Sequence, residues 1–293
     1  MADDQRLADI LESPPRWDAA LRLLGGLHNL VLRGQASWDD VGAALDRHAD
    51  FLRRFVAEQG VQTNEVQRCW MLLPCFLELS RRTGTSTFDV LEFGPSAGLL
   101  LYWDRYRYAY EAGGWGDPCA LLELSGEERR ALPGELLAMR PIVRGRVGID
   151  IDPVDVTIDE GALLLRSFVW ADNRDRLERL DKAIEVVRQE PPQLVRGNFV
   201  ELVPEYLARR SDDALTVVMQ IAAAGYLDDE GRRGLHETYE QAGAEGPLAV
   251  VSTSQPTDGS HHYYGLRISL WPGGRSEIVA HADFHGRWLE WLL

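Results

Sequence analysis

The residues with the clearest chemical potential lie in one short stretch, where an acidic residue is followed by small residues at every second position. Their spacing fits an acid-x-Gly-x-Gly-x-Gly loop in which Ser96 takes the place of the middle glycine. Small residues let a backbone approach a ligand closely, and the N–H groups at a helix start can bind polar or anionic groups. The spacing therefore predicts a nucleotide- or phosphate-binding turn; a tight strand–helix turn without a ligand is the alternative. The predicted binding residues are Glu92, Gly94, Pro95, Ser96, Ala97, Gly98 and Leu99.

The flanking segments predict the elements that position this turn. Thr87–Phe93 is a short apolar run that contains the acid near its end, which is typical of a buried strand. Leu99–Tyr108 carries apolar and aromatic residues at helical spacing, so we expect a helix there. A strand, a glycine turn and a helix in this order form the ligand-binding unit of a doubly wound α/β sheet.

A second acidic residue is expected beside the turn, because a carboxylate at the end of a neighbouring strand commonly holds a ribose diol. Asp150 closes the apolar segment that follows Arg146, and we assign it this role. Glu123 is the alternative, because it lies nearer the usual separation of about 20 residues beyond the turn. The assignment of Asp150 requires that residues 110–145 form an insertion.

The rest of the chain alternates predicted strands and helices. A third strand leads to Asn198 and Phe199, which we expect beside an adenine ring. A fourth apolar strand ends near Gln220, which we also expect to contact the cofactor. The final segments, Tyr264–Trp271 and Ser276–Ala282, predict an antiparallel hairpin. This ending is typical of the class I S-adenosylmethionine-dependent methyltransferase sheet and not of NAD dehydrogenases. The fold class is therefore α/β: a Rossmann-like, methyltransferase-type doubly wound sheet with a C-terminal antiparallel hairpin.

Residues 1–85 show helical periodicity and predict an N-terminal helical cap or lid, with the Rossmann-like core at 86–293. One part of the cap is unusually polar: several hydrogen-bonding side chains precede the apolar run that begins at Cys69. A helix start needs only one capping side chain. We therefore expect a pocket wall on the acceptor side, and a capped, solvated helix start is the alternative. The predicted substrate-binding residues are Gln62, Asn64, Glu65 and Arg68.

Composition narrows the classes of partner. The 293 residues carry a formal charge of −15, which argues against a general nucleic-acid or anionic-membrane surface. The charged segment Met1–Glu12 does not resemble a signal peptide, and no apolar run reaches the length of a membrane span. Cys69 and Cys75 lie in an apolar helical run, which predicts buried, reduced thiols. We expect a cytoplasmic protein with a small-molecule substrate and no metal.

Several segments together resemble an uncharacterised bacterial family, domain of unknown function 2332. The segments are Val61–Arg68, Glu92–Leu99, Asp104–Tyr106, Gly148–Val156, Val169–Asp172 and His281–Trp291. The resemblance implies a core similar to the methyltransferase-type Rossmann fold, and the family has no established reaction. One position departs from the expected pattern: the fourth strand closes with Gln220 and Ile221 where a His-Ser pair is expected, which puts a catalytic role for that strand end in doubt.

These observations favour an S-adenosylmethionine-dependent methyltransferase acting on a small or medium-sized molecule, with catalysis mainly by positioning. His261 and His262 are the candidates for a general base. A non-catalytic cofactor-binding protein that senses or scaffolds is the first alternative. A metal-dependent hydrolase using His281 and His285 is the second, and it requires a chain turn near Phe284, because positions four apart on a strand lie about 13 Å apart.

Overall fold

The computed structural model describes residues 5–11, 17–62, 65–255 and 262–293. Its α-helices are α1 (Gln5–Ile10), α2 (Ala19–Leu32), α3 (Val41–Arg47), α4 (Ala49–Glu58), α5 (Arg68–Thr83), α6 (Asp159–Ser167), α7 (Arg174–Gln189), α8 (Phe199–Ala208) and α9 (Asp229–Glu245). Its strands are β1 (Thr87–Phe93), β2 (Arg107–Tyr110), β3 (Gly113–Trp115), β4 (Glu123–Ser125), β5 (Glu127–Arg130), β6 (Ile142–Asp150), β7 (Gln193–Arg196), β8 (Leu215–Gln220), β9 (Leu248–Ser254), β10 (Tyr264–Trp271), β11 (Arg275–Ala282) and β12 (Trp288–Trp291). Short 3-10 helices occupy Trp38–Asp40, Leu99–Arg105, Leu136–Ala138 and Ala223–Tyr226.

The chain forms two compact units, the first made of residues 1–64 and 154–184 and the second of residues 65–153 and 185–293. The first unit is helical. Its core contains Leu27, Leu30 and Leu52, which are at most 5% exposed. The segment that returns to this unit from later in the chain is joined to α2 by a buried hydrogen bond of 3.0 Å, which the Asn29 amide donates to the Ser167 hydroxyl.

The second unit is built on a nine-stranded sheet with the order β5-β12-β11-β10-β9-β8-β1-β6-β7. β7, β6, β1, β8 and β9 are parallel neighbours, whereas β9 to β12 pair antiparallel one after another. β8 is buried at every position, as expected of a central strand covered on both faces. The sheet confirms the predicted α/β class, the Rossmann-like arrangement of β1, β6 and β8, and the C-terminal hairpin.

Successive residues of β1 face opposite layers of helices. Phe88 is directed toward α5, where its ring lies 6.3 Å from that of Phe76. Leu91 and Phe93 face the other side and pack with α8, where Phe93 stacks on Phe199 at 4.5 Å. The strand therefore delivers alternate side chains to two cores. Glu92 has the parity of Phe88 and belongs to the α5 side of the sheet.

The prediction of a long helix after the turn was wrong. Leu99–Arg105 is a 3-10 helix with a kink at Tyr102, and the chain then enters β2. Tyr106 donates its hydroxyl hydrogen bond to the Leu99 carbonyl at 2.8 Å, and Tyr108 donates to Trp103 at 2.5 Å. The two tyrosine hydroxyls thus bond to carbonyls that, in an α-helix, would accept hydrogen bonds from backbone N–H groups of the same helix. β2, β3 and β4 form a separate three-stranded sheet, in which β3 and β4 lie within the predicted insertion at 110–145 and β2 begins before it.

Candidate functional site

The sheet has one point at which consecutive connections leave in opposite directions. β1 lies between β6 and β8, and the chain passes from β1 first to β6 on one side and later to β8 on the other. The carboxyl ends of parallel strands separate at such a switch point, which leaves a crevice where α/β proteins bind ligands. The turn over Gly94–Gly98 begins at this point, immediately after β1. The sequence-predicted turn and the crevice are therefore in the same place.

The turn has a specific backbone conformation. Gly94, Ser96 and Gly98 have φ angles of +66°, +54° and +74°, all in the left-handed region. This region is readily available to glycine and costs free energy at a serine. The Ser96 conformation is held by a hydrogen bond of 2.8 Å that its backbone N–H donates to Asp150 Oδ2. The strain at Ser96 and the restraint by Asp150 make a preorganised loop with Gly94 exposed at its surface.

Asp150 ends β6 beside the turn, as the sequence predicted. Its carboxylate accepts hydrogen bonds from two backbone N–H groups. Its Oδ1 accepts a hydrogen bond of 2.9 Å from the Asp152 backbone, in addition to the Ser96 bond on Oδ2. An ionised carboxylate has about four lone-pair positions, so two remain for a ligand diol. Glu123 is elsewhere: it lies on β4 of the small sheet, where its half-exposed carboxylate is 2.9 Å from Arg107.

The glycines explain how closely the turn and β6 approach. A Cβ at Gly148 would lie 2.5 Å from Pro95 Cγ, so this strand position must be glycine for the turn to sit where it does. A Cβ at Gly98 would meet Pro192 Cγ at 3.0 Å and Leu101 Cδ1 at 3.2 Å. Contacts within the protein therefore explain why residue 98 is glycine. A side chain there would clash with Pro192 and Leu101, whether or not a ligand is bound.

Glu92 is the buried acid of the site. It is 3% exposed, and its Oε2 has no hydrogen-bond partner among the described residues. Burial and, to a smaller extent, the negative charge of Asp150 raise the pKa of Glu92 to about 8, although the positive charge of Arg68 opposes both effects. Glu92 is therefore largely a neutral carboxylic acid at pH 7, with an unpaired oxygen at the end of β1.

The polar residues just before and at the start of α5 belong partly to the first unit and partly to the second. Glu65, Gln67 and Arg68 are buried in the second unit, whereas Gln62 belongs to the first unit and Asn64 lies outside the described residues. Much of this polarity serves the backbone. Gln67 Nε2 donates to the Ser125 and Gly286 carbonyls at 2.8 and 3.2 Å, and its N–H donates to Glu65 Oε1 at 3.2 Å.

Arg68 is the charged member of this segment and is only 6% exposed. Its Nε donates a hydrogen bond of 2.9 Å to the Phe284 carbonyl, which fixes the guanidinium at the start of α5. From there its charge acts on Glu92. The side chain does not point to bulk solvent, so its predicted role on the acceptor side stays open.

The residues predicted beside adenine have structural roles. Asn198 caps α8, because its side chain accepts from the Val200 N–H at 3.0 Å and donates to Glu201 at 3.0 Å. Phe199 is 1% exposed and stacks on Phe93 in the core, so its ring offers no open face to a ligand. Asn198 remains exposed near the end of β7.

The histidines are dispersed. His262 is exposed, and His261 lies outside the described residues. His281 lies on β11 with Nδ1 3.3 Å from Glu290 Oε2, and His285 follows in the loop before β12. Within the ranges that the structure describes, no three His, Cys, Asp or Glu side chains are grouped to hold a metal ion. Cys69 and Cys75 are buried free thiols, as predicted.

One group of polar side chains was not predicted from the sequence, apart from Gln220, and it lies on the face of the sheet that α9 borders. It consists of Gln220, Ser252, Arg267, Ser269 and Ser276. The available signal was the spacing of Arg267 and Ser269, two polar residues at alternate positions of an otherwise apolar strand. Gln220 was predicted to contact the cofactor; here its Nε2 donates to the Tyr239 hydroxyl at 2.8 Å.

None of the helices in the described ranges has the length and apolarity to cross a membrane.

The chain shares a distant likeness with two solved structures. One is an S-adenosylmethionine-dependent methyltransferase from Clostridium acetobutylicum ATCC 824, at 9% identity over 78% of this chain and 74% of that chain, with a TM-score of 0.28. The other is the glycopeptide N-methyltransferase MtfA complexed with (S)-adenosyl-L-homocysteine, at 16% identity over 81% and 72% of the two chains, with a TM-score of 0.25.

No curated protein sequence matches the chain significantly. A family model does match, over residues 1–291, and it is described as "Uncharacterized protein conserved in bacteria (DUF2332)". The chain therefore belongs to this family, which confirms the resemblance found in the sequence.

Proposed function

We propose that this member of the DUF2332 family binds S-adenosylmethionine at the Gly94–Gly98 turn and transfers its methyl group to a small or medium-sized molecule. One observation carries the proposal. Two acids, Glu92 and Asp150, stand at the carboxyl ends of adjacent parallel strands and meet a left-handed small-residue turn at the switch point of the sheet. A crevice of this construction suits a nucleoside with a cationic group.

The chemistry of the donor set fits this cofactor. S-adenosylmethionine supplies an electrophilic methyl group on a positively charged sulfonium, so the work of the protein is to hold and orient. Asp150 has free lone pairs for the ribose hydroxyls, and the exposed backbone around Gly94 and Ser96 would hold the methionine end. Asn198 is the remaining side chain for the adenine edge, and Phe199 is left out because it is core.

Glu92 gives the site its match to positive charge. A buried acid without a partner on Oε2 is costly as an anion, and a nearby cation would favour its ionised form. Binding a cation beside Glu92 should therefore lower its pKa and release a proton. Arg68 already lowers the pKa of Glu92, which makes the further decrease on cation binding smaller. The protonation of Glu92 therefore depends on one buried arginine, on Asp150 and on any bound cation.

The acceptor side is proposed to include Glu65 and Arg68, the two buried residues of the predicted set that belong to the second unit. Arg68 is the best-supported member, because it is buried and its charge acts on Glu92. A buried guanidinium with donors beyond its bond to Phe284 suits an acceptor that carries a carboxylate or phosphate. His261 and His262 remain candidates for the base that removes the acceptor proton.

Calorimetry with S-adenosylhomocysteine tests the binding step. We expect one site per chain with a micromolar dissociation constant, weakened about tenfold or more in Asp150→Asn, because one acceptor oxygen becomes a donor facing the Ser96 or Asp152 N–H. Asp152→Asn is the matched control, since this neighbour pairs with the half-exposed Arg196. Wild-type protein without heat at millimolar ligand, or equal loss in both variants, would contradict the proposal.

The second candidate is a cofactor-binding protein without catalysis. The specific observation in its favour is the end of β8, where Gln220 is committed to Tyr239 and no ionisable side chain closes the strand. Both candidates predict binding of S-adenosylhomocysteine. Only the methyltransferase predicts that radiolabelled methyl groups leave S-adenosylmethionine when small nucleophiles are supplied, so the two assays together separate the candidates.

A further inference from the structure

A polar groove lies in the second unit on the face of the sheet beside α9. Its volume is about 350 Å³, and strands β8 to β11 form its floor. Arg232, His236 and Tyr239 of α9 line one side. This volume lies at the lower end of the range found for small-molecule pockets. Nothing in the proposed binding of the cofactor uses the arginine or the serines of this groove.

Register explains how the polar side chains come together. Gln220 pairs with Ser252, and Ser252 pairs with Arg267, so these three stand side by side across three strands. In the next row on the same face, Ser269 is directly opposite Ser276. Directly paired residues project from the same face of a sheet. Three strands therefore present serine hydroxyls around one guanidinium.

The hydrogen bonds within this group leave donor capacity unused. Arg267 Nη1 donates to Ser276 Oγ at 3.1 Å, and Ser269 Oγ lies 2.9 Å from the same oxygen. A guanidinium carries five N–H donors, and the residues described here accept only this one bond from it. Within the described ranges, no carboxylate lies within 4.0 Å of Arg267. In a chain of net charge −15, an arginine without an acidic partner is informative.

The wall of the groove contains a second unpaired donor. Trp271 is 7% exposed, and its buried Nε1 has no hydrogen-bond partner among the residues described. A Cβ at Gly274 would lie 3.5 Å from this nitrogen and 3.1 Å from Glu240 Oε1, so the N–H lies beside the Gly274 turn and on the same side as the Glu240 carboxylate. A buried donor left without an acceptor costs about 1–3 kcal/mol. A ligand acceptor in the groove would remove that cost.

We propose that this groove is a binding site for a small organic oxyanion, held by Arg267 with the hydroxyls of Ser252 and Ser276. Both a carboxylate and a phosphoryl group accept the paired donors of a guanidinium. Arg232 and His236 stand at the rim, where they face Asp229 at 3.3 Å and Glu240 at 3.9 Å. Both rim side chains therefore have an acidic neighbour, so Arg267 is the main determinant. The proposal goes beyond the cofactor site and does not depend on it.

Calorimetric titrations with inorganic phosphate and with succinate test the proposal and separate the two sources of oxyanion. At low ionic strength we expect at least one of them to bind with a dissociation constant of about 1 mM or below. Arg267→Gln should weaken that binding about tenfold or more. Arg275→Gln is the matched control, because this highly exposed arginine precedes Ser276 on β11 and lies 3.8 Å from Glu277. It should change binding less than twofold.

A second measurement covers the case in which Arg267→Gln does not fold. The indole N–H resonance of Trp271 in wild-type protein, identified with Trp271→Phe, should shift on addition of the bound anion. Asp150→Asn, which weakens the proposed cofactor site, should retain full anion binding, so failure of either proposal is recognisable separately. Absence of binding by both anions, an unchanged affinity in folded Arg267→Gln, or a static indole resonance would overturn the inference.

Discussion

Replacing Glu92 with glutamine should remove a large part of the pH dependence of stability. Burial, together with the negative charge of Asp150 and against the positive charge of Arg68, raises the pKa of Glu92 from its ordinary value of 4.5 to about 8. Below pH 4.5 the carboxyl group is protonated in both folded and unfolded chains, so its full stabilising contribution is present. Glutamine has the same shape and stays neutral, which makes it a mimic of the protonated acid.

The magnitude follows from proton linkage. Between the unfolded pKa of 4.5 and the folded pKa of about 8, the unfolded chain releases this proton while the folded chain retains it. Stability then falls by about 1.4 kcal/mol per pH unit, and the loss is complete once the pH exceeds the folded value. Relative to wild type, Glu92→Gln should be nearly neutral at about pH 4 and more stable by a few kcal/mol at about pH 8.5.

Urea unfolding of both proteins across this range measures the difference, and the slope of the difference is the diagnostic quantity. Glu123→Gln is the control, because its carboxylate is half exposed on β4 and its pairing with Arg107 contributes little to stability. The Glu123→Gln variant should differ little from wild type in its free energy of unfolding. A difference for Glu92→Gln that does not change with pH would show that Glu92 is ionised in the folded protein and would refute the neutral-acid assignment.

Three further substitutions test individual parts of the site. Arg68→Ala should leave the affinity for S-adenosylhomocysteine within a factor of a few and abolish acceptor turnover. It should also raise the pKa of Glu92 further, because the opposing positive charge is lost. Full turnover in a folded variant would remove Arg68 from the acceptor site. Phe199→Leu should lower the free energy of unfolding by about 1 kcal/mol without changing cofactor affinity, because the ring is core; a selective affinity loss in calorimetry would restore the adenine role. Gly148→Ala should weaken cofactor binding about tenfold, since its Cβ would displace Pro95 and the turn; unchanged affinity would uncouple the turn from binding.

The central strands were predictable because each contains a short segment of mainly apolar residues bounded by turn residues. Leu215–Gln220 is buried at every position, and Thr87–Phe93 ends at a glycine turn, so pattern and environment agree. The same logic failed after the turn, because the aromatic residues of Leu99–Tyr108 match helical spacing. There the hydroxyls of Tyr106 and Tyr108 bond to nearby carbonyls and stabilise a 3-10 segment followed by a strand.

Only part of the candidate site was predictable, namely the residues whose place at a strand end or in a turn indicates their role. Asp150 could be assigned from its place at a strand end, but its bond to the Ser96 N–H depends on the parallel pairing of β1 and β6. Gln67 lies beside carbonyls 58 and 219 residues away, at Ser125 and Gly286, so sequence alone could not separate its backbone role from ligand binding. The neutral state of Glu92 is likewise a consequence of tertiary burial.

A crystal structure of the complex with S-adenosylhomocysteine tests the central claim most directly. We predict that the ligand lies over the exposed Gly94 and the partly exposed Ser96, with both ribose hydroxyls within hydrogen-bond distance of the Asp150 carboxylate. Ligand bound in the Arg267 groove or elsewhere on the sheet, with the Gly94–Gly98 turn empty at saturating ligand, would contradict it.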